Sequence, residues 1–164
     1  MLTQKQRELL ERRRKQVNDN KAQSVRKLSE YSDHITNYIS SAEELHYYQA
    51  LGLEEAYITR YALIRSIDFN MPDVFGRTNR ERISDGLSPV AFAGTQISFT
   101  LHHIGQKFTS PFAELIREIE HAQSEEFSFL HPNGCKKGWR NEKTTTEFDI
   151  QRREYWQRRV ELDV

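Results

Sequence analysis

Polar and apolar positions divide the chain into three stretches. Residues 3 to about 31 are dense in Arg, Lys, Glu and Gln, lack Gly and Pro, and hold few apolar residues, such as Leu9, Leu10, Val17, Val25 and Leu28. A helix of that composition buries little and stays mostly solvated, so Arg12-Arg13-Arg14-Lys15 reads first as a charged helix face. Ser41-Ala42-Glu43-Glu44 fits a capping box opening a short helix that Gly52 ends. From Leu53 to Ile67, Ala56, Tyr57, Tyr61 and Ile64 fall at helical spacing, which predicts a third, more apolar helix. The grammar changes near Asp68. Met71-Pro72-Asp73, Gly76, Gly86, Pro89 and Gly94 punctuate short segments, as in strands and turns. Residues 89–91 and 96–101 flank Phe92-Ala93-Gly94-Thr95 and read as a hairpin. Phe112 to Ile116 reads as a second core strand, 117–126 as a helix, 132–144 as a polar loop. The last helix starts near Thr146 and buries Phe148, Tyr155 or Trp156, and Leu162. The chain thus divides into a helical linker or presentation segment, 1–67, and an α+β unit, 68–164. Removing residues 1–40 is expected to leave the chemistry intact.

Composition narrows the functional classes. Hydrophobic residues make up 37% of 164 and charged residues 29%, and 2 Trp, 7 Tyr and 9 Phe are enough to anchor a modest core. The formal net charge is zero, which argues against indiscriminate coating of nucleic acid. The single Cys135 excludes an internal disulfide. No apolar run approaches membrane-spanning length, and the opening residues lack a signal-peptide core.

The candidate chemistry sits in the histidines. Four of the six, His102, His103, His121 and His131, fall within thirty residues, on a run that reads strand, loop, helix. Neutral imidazole is a common ligand for divalent metals and carries a proton near neutral pH. Successive side chains on a strand point to opposite faces, so one member of the pair can hold a metal while its neighbour faces a substrate. Phosphodiester hydrolysis needs an activated water, charge stabilisation and help for the leaving alkoxide. His102, His121 and His131 are accordingly read as metal ligands, and His103 as general base. His34 and His46 read as packed or surface residues. His131 and Cys135 resemble half a zinc site, but no second Cys completes it. Arg152-Arg153 and Arg158-Arg159 on the last helix suit either a DNA backbone contact or an exposed helix face.

Several runs together carry a family resemblance: Gly76-Arg77-Thr78-Asn79-Arg80-Glu81-Arg82, then Asp85 to Pro89, Leu101-His102-His103-Ile104-Gly105-Gln106, Ser110 to Leu115, Glu120-His121, and Leu130-His131. The stretch 68–160, closing with Phe148, Tyr155-Trp156 and Arg159, resembles the LHH group of HNH/endonuclease VII nucleases, best known as C-terminal domains of bacterial polymorphic toxins. The resemblance implies a ββα-metal core, a divalent cation (Mg, Mn, Zn or Ni) and cleavage of DNA. It also implies a cognate immunity protein, and a secreted or delivered effector acting in the target-cell cytoplasm. It puts metal on His102, with the downstream histidines His121 and His131, and the activation of water on His103. The middle Asn of the wider HNH pattern has no counterpart between His103 and His121. Its orienting job falls to Gln106, Glu114 or a main-chain carbonyl, with Glu114 alternatively a carboxylate near the metal. Asn79 and Arg82 read as structural, with phosphate contact as the second choice. Residues 67–164 hold 13 Lys/Arg against 15 Asp/Glu, so phosphate contacts are expected from a few local residues, Lys107, Arg152 and Arg153. An RNase on the same site, and a non-enzymatic DNA-binding or adaptor module with a structural metal, are the alternatives.

Overall fold

The computed structural model describes residues 31–121, 127–131 and 142–163, together with Gln4 and Glu8. Apart from Gln4 and Glu8, which are helical, the expected charged helix lies outside the described residues, as does the loop around Cys135. The fold is α+β. Helix α1 (Asp33–Thr36) is capped by Ser32, and α2 (Ala42–Ala50) by Ser41, whose side chain accepts from the Glu44 amide. The Glu44 carboxylate reaches back to the amide and hydroxyl of Ser40, one residue earlier than the usual box. Gly52 then takes the left-handed backbone, φ +71, that ends α2.

Residues 53–67 are not the expected helix. They form an antiparallel hairpin of β1 (Glu54–Tyr57) and β2 (Tyr61–Ile64), with Ala56 opposite Ala62. A short apolar run supports either period, and a distant partner decides it. That partner is β4 (Phe112–Ile116), which runs parallel to β2 through Ala62–Phe112 and Leu63–Ala113. Strand β3 (Phe99–His103) pairs antiparallel with β4, giving the order β1-β2-β4-β3. The sheet therefore crosses the boundary expected at residue 67. The expected hairpin around residues 89–101 is present, though upstream of β3 it narrows to a bridge between Val90 and Ser98.

Both faces of the sheet are covered, which explains why all five residues of β4 are buried. On one face Ala62, Ile64, Phe99, Leu101, Phe112 and Ile116 pack with Tyr155 and Trp156 of the long α5 (Glu142–Leu162). On the other, Leu63, Ala113 and Leu115 pack with Ile35, Ile39, Leu45, Tyr48 and Leu130. Leu130 ends the short α4 (Phe127–Leu130). The helix expected over 117–126 begins as a wide π-type turn, Arg117–His121, and residues 122–126 lie outside the described residues.

Between the strands, α3 (Asn79–Ser84) carries a full capping box from Thr78 and Glu81. The structural reading of Asn79 and Arg82 agrees with their contacts. Asn79 is fully buried, donates to the carbonyls of Asp68 and Val90, and accepts from the Val90 amide at 2.7 Å. Arg82 donates to Asp73 at 2.7 Å, Gln96 at 2.8 Å and the Ser88 carbonyl at 2.9 Å. Three loops are thereby pinned to one short helix.

Candidate metal centre

Strand alternation separates the two adjacent histidines. His102 lies opposite Ala113 and His103 opposite Phe112, so their side chains take the two different faces of the sheet. His102 meets His121, delivered by the π-type turn that leaves β4, and His131, which follows α4. One ligand atom from each of the three lies within 4.8 Å of the others. The closest pair is His102 Nδ1 and His121 Nε2, at 3.2 Å. Ring centroids are 4.8 Å apart for His102–His131 and 4.7 Å for His121–His131. His102 is buried, whereas His121 and His131 are half-buried, so the group opens toward solvent on their side.

The electrostatics favour a ligand set. Burial, and then the neighbouring imidazoles His121, His131 and His103, push the pKa of His102 well below its usual value. It is held neutral, with a lone pair to offer. Its buried Nε2 has no hydrogen-bond partner among the described residues. Two nitrogens bound at 2.0–2.1 Å to a tetrahedral ion lie about 3.3 Å apart, close to the 3.2 Å between His102 Nδ1 and His121 Nε2. Imidazole donors suit zinc, nickel and related first-row ions better than magnesium, which prefers oxygen. The residues fit a divalent cation of that softer kind. Three protein ligands leave a coordination position for water or phosphate.

His103 is 4% exposed, on the α5 side, and lies between the rings of Phe112 and Phe148, each with its centroid 4.9 Å away. Its carbonyl accepts from the Gln106 amide at 3.0 Å, closing the turn behind it. Gln106 takes a left-handed backbone, φ 55, uncommon outside glycine. The preceding Gly105, φ +82, leaves no room for a Cβ, which would sit 2.9 Å from the Tyr38 carbonyl oxygen. Lys107 is exposed on the same turn.

Glu114 does not join the histidine group. It is fully buried on the opposite face from His102, where its carboxylate accepts from Tyr155 at 2.7 Å, Arg159 at 2.7 and 3.3 Å, and the Arg65 amide at 3.0 Å. Four donors fill it, as a structural carboxylate requires. Arg152 is tied down too. It donates to the Gly86 carbonyl at 2.9 Å and to Asp149 at 2.6 Å, fastening the loop after α3 to α5. Arg153 is more exposed and pairs with Asp149 at 3.1 Å.

Sequence reasoning missed the surroundings of His121. Glu120 accepts at one oxygen from both the Ile116 amide and Arg65 Nη1, each at 2.6 Å. The Tyr47 hydroxyl donates to the Glu120 carbonyl at 3.1 Å. Tyr47 and Arg65 lie in the segment read as a linker, and no local pattern links them to residue 120.

Among the described residues no helix is long and apolar enough to cross a membrane. No solved structure matches the chain. Residues 78–161 match the model of a family described as a nuclease of the HNH/ENDO VII superfamily with conserved LHH, and Leu101-His102-His103 lies inside that match. With half of its length matched and its histidines gathered as a ligand set, the chain belongs to the LHH family of HNH/endonuclease VII nucleases.

Proposed function

We propose that the chain is a metal-dependent endonuclease that hydrolyses DNA, and that it serves as a toxin effector domain against competing bacteria. The observation that carries the metal part is the convergence of His102, His121 and His131 beside a fourth histidine on the same strand. These three would hold a divalent cation, which when bound would supply positive charge to the phosphoryl oxygens and the leaving alkoxide. To accept the proton of the attacking water at an imidazole nitrogen, His103 must turn out from between Phe112 and Phe148, where it is 4% exposed. The turn closed by the Gln106 amide fixes the backbone behind that ring, the task an Asn would otherwise share. Glu114 serves the fold rather than the reaction. Lys107 and Arg153 are exposed enough to meet a DNA backbone, whereas Arg152 is committed to Gly86 and Asp149.

DNA is preferred here because nucleases resembling this group act most often on it. The toxin reading follows the same resemblance. It entails a cognate immunity protein, since an unchecked nuclease damages its producer, and delivery into a target-cell cytoplasm. The deciding experiment incubates the protein with supercoiled plasmid and, separately, with total RNA, with and without chelator. Nicking and linearisation of plasmid that chelator stops and added Zn²⁺, Ni²⁺ or Mn²⁺ restores is the expected result. Degradation of RNA with plasmid untouched replaces the DNase by an RNase on the same site. Cleavage of neither, with metal still bound, leaves the structural-metal module.

A further inference from the structure

Two of the three candidate ligands arrive on segments with little regular structure of their own. His121 closes a five-residue π-type turn, and His131 follows a four-residue helix. Neither is placed by a ladder of strand hydrogen bonds as His102 is. Something else must fix them.

The contacts around them converge on two side chains from residues 31–67, a region outside the family match. Arg65, just past β2, donates to Glu120 at 2.6 Å, and the same Glu120 oxygen accepts the Ile116 amide. The carboxylate thus ties the far end of the π-type turn, next to His121, back to the end of β4, and Arg65 holds the carboxylate. The Arg65 amide also donates to Glu114 and its carbonyl accepts from Arg159, so its own backbone is anchored in the core. Tyr47, on α2, donates its hydroxyl to the Glu120 carbonyl, one residue before His121. Its ring packs edge-on against Phe129, two residues before His131, with centroids 5.4 Å apart. One tyrosine therefore touches both segments that bring in ligands.

We propose that Tyr47 and Arg65 are positioning residues of the metal centre, setting His121 and His131 against His102 before any ion binds. This rests on the metal reading above. Outer-shell partners that orient ligands commonly govern affinity by 10- to 100-fold, because a preorganised set loses less freedom on binding.

The test uses the full chain stripped with chelator and titrated calorimetrically with Zn²⁺, alongside thermal unfolding of the metal-free protein. Arg65→Met is expected to weaken Zn²⁺ binding roughly 10- to 100-fold while the stripped protein still unfolds cooperatively. Arg65→Lys, which keeps the charge, recovers most of the loss. Tyr47→Phe removes only the hydroxyl and costs about fivefold, the worth of one hydrogen bond. A purely structural role lowers the unfolding midpoint but leaves the Zn²⁺ affinity of the folded protein unmoved. Folded Arg65→Met and Tyr47→Phe variants that both bind Zn²⁺ within twofold of the wild type overturn the proposal and spare the metal reading. If Arg65→Met does not fold, Tyr47→Phe decides alone. A wild-type chain that binds no Zn²⁺ brings down the metal reading and this inference together.

Discussion

At the scale of residues, backbone geometry puts the paired histidines on opposite faces of the sheet, and the roles proposed for them are separable by measurement. His102→Ala removes a buried ligand, so Zn²⁺ affinity and cleavage should fall together. His103→Ala leaves the three ligands in place. Cleavage should then drop roughly 10²- to 10⁴-fold, the usual worth of a general base, while calorimetric Zn²⁺ affinity stays near the wild-type value. Substantial cleavage by His103→Ala would move the base elsewhere. Glu114 should behave differently. Glu114→Ala leaves the Arg159 guanidinium buried and short of its partner, which typically costs 3–5 kcal/mol, so urea unfolding should shift strongly. Asp73 gives the pH signature. Burial opposes its ionisation, yet the hydrogen bonds from Arg82 and from the amides of Phe75 and Arg77 outweigh this and hold its carboxyl below the usual range. The stability it lends is complete above the unfolded value, about pH 4, and is lost as pH falls through the lower native value. Wild-type and Asp73→Asn unfolding midpoints should therefore differ at pH 6 and draw together below about pH 4.

At the scale of elements, what could be read in advance depended on how local each element's cause is. Strand β4 was legible as five apolar-dominated residues between Pro111 and a polar run, α2 by its Ser41 cap and α5 by its spacing, whereas α3 lies in a stretch whose turn residues read as strands and turns. The β1–β2 hairpin was not, because Ala56, Tyr57, Tyr61 and Ile64 satisfy a helical period equally well, and the strand that selects extended backbone lies about fifty residues away. The site divides likewise. His102, His121 and His131 lie close in sequence, and the structure brings the three together. Tyr47 and Arg65 reach Glu120 across separations of 73 and 55 residues, which no window along the chain captures. The expectation that residues 1–40 are dispensable changes accordingly. Ile35 and Ile39 are fully buried against the sheet, and exposing what they cover forfeits about 1.5–3 kcal/mol each. A chain beginning at residue 41 should be markedly less stable by urea unfolding than the full chain. Equal midpoints would mean that this face of the core contributes little.

At the scale of the whole molecule, zero net charge means that the proposed DNA binding rests on a few local cations rather than on a uniformly basic surface. Each phosphate neutralised on duplex DNA adds about 0.9 to the slope of log affinity against log salt. With Lys107 and Arg153 as the proposed contacts, binding of plasmid by the His103→Ala protein should show a slope of only about −2. A slope several times steeper would reveal a basic surface beyond those two residues. The parallel pairing of β2 with β4 has a separate consequence, for the order in which the molecule comes into being. Residues 61–64 leave the ribosome long before Phe112 and Ala113, the positions they pair with. Contacts closed over so long a loop form late and set the pace of folding. The side chains that would hold an ion are assembled later still, once His131 has emerged and settled against its neighbours. On the metal reading proposed above, a nascent chain that has not yet reached His131 lacks a complete ligand set, so activity should arise only near the end of synthesis.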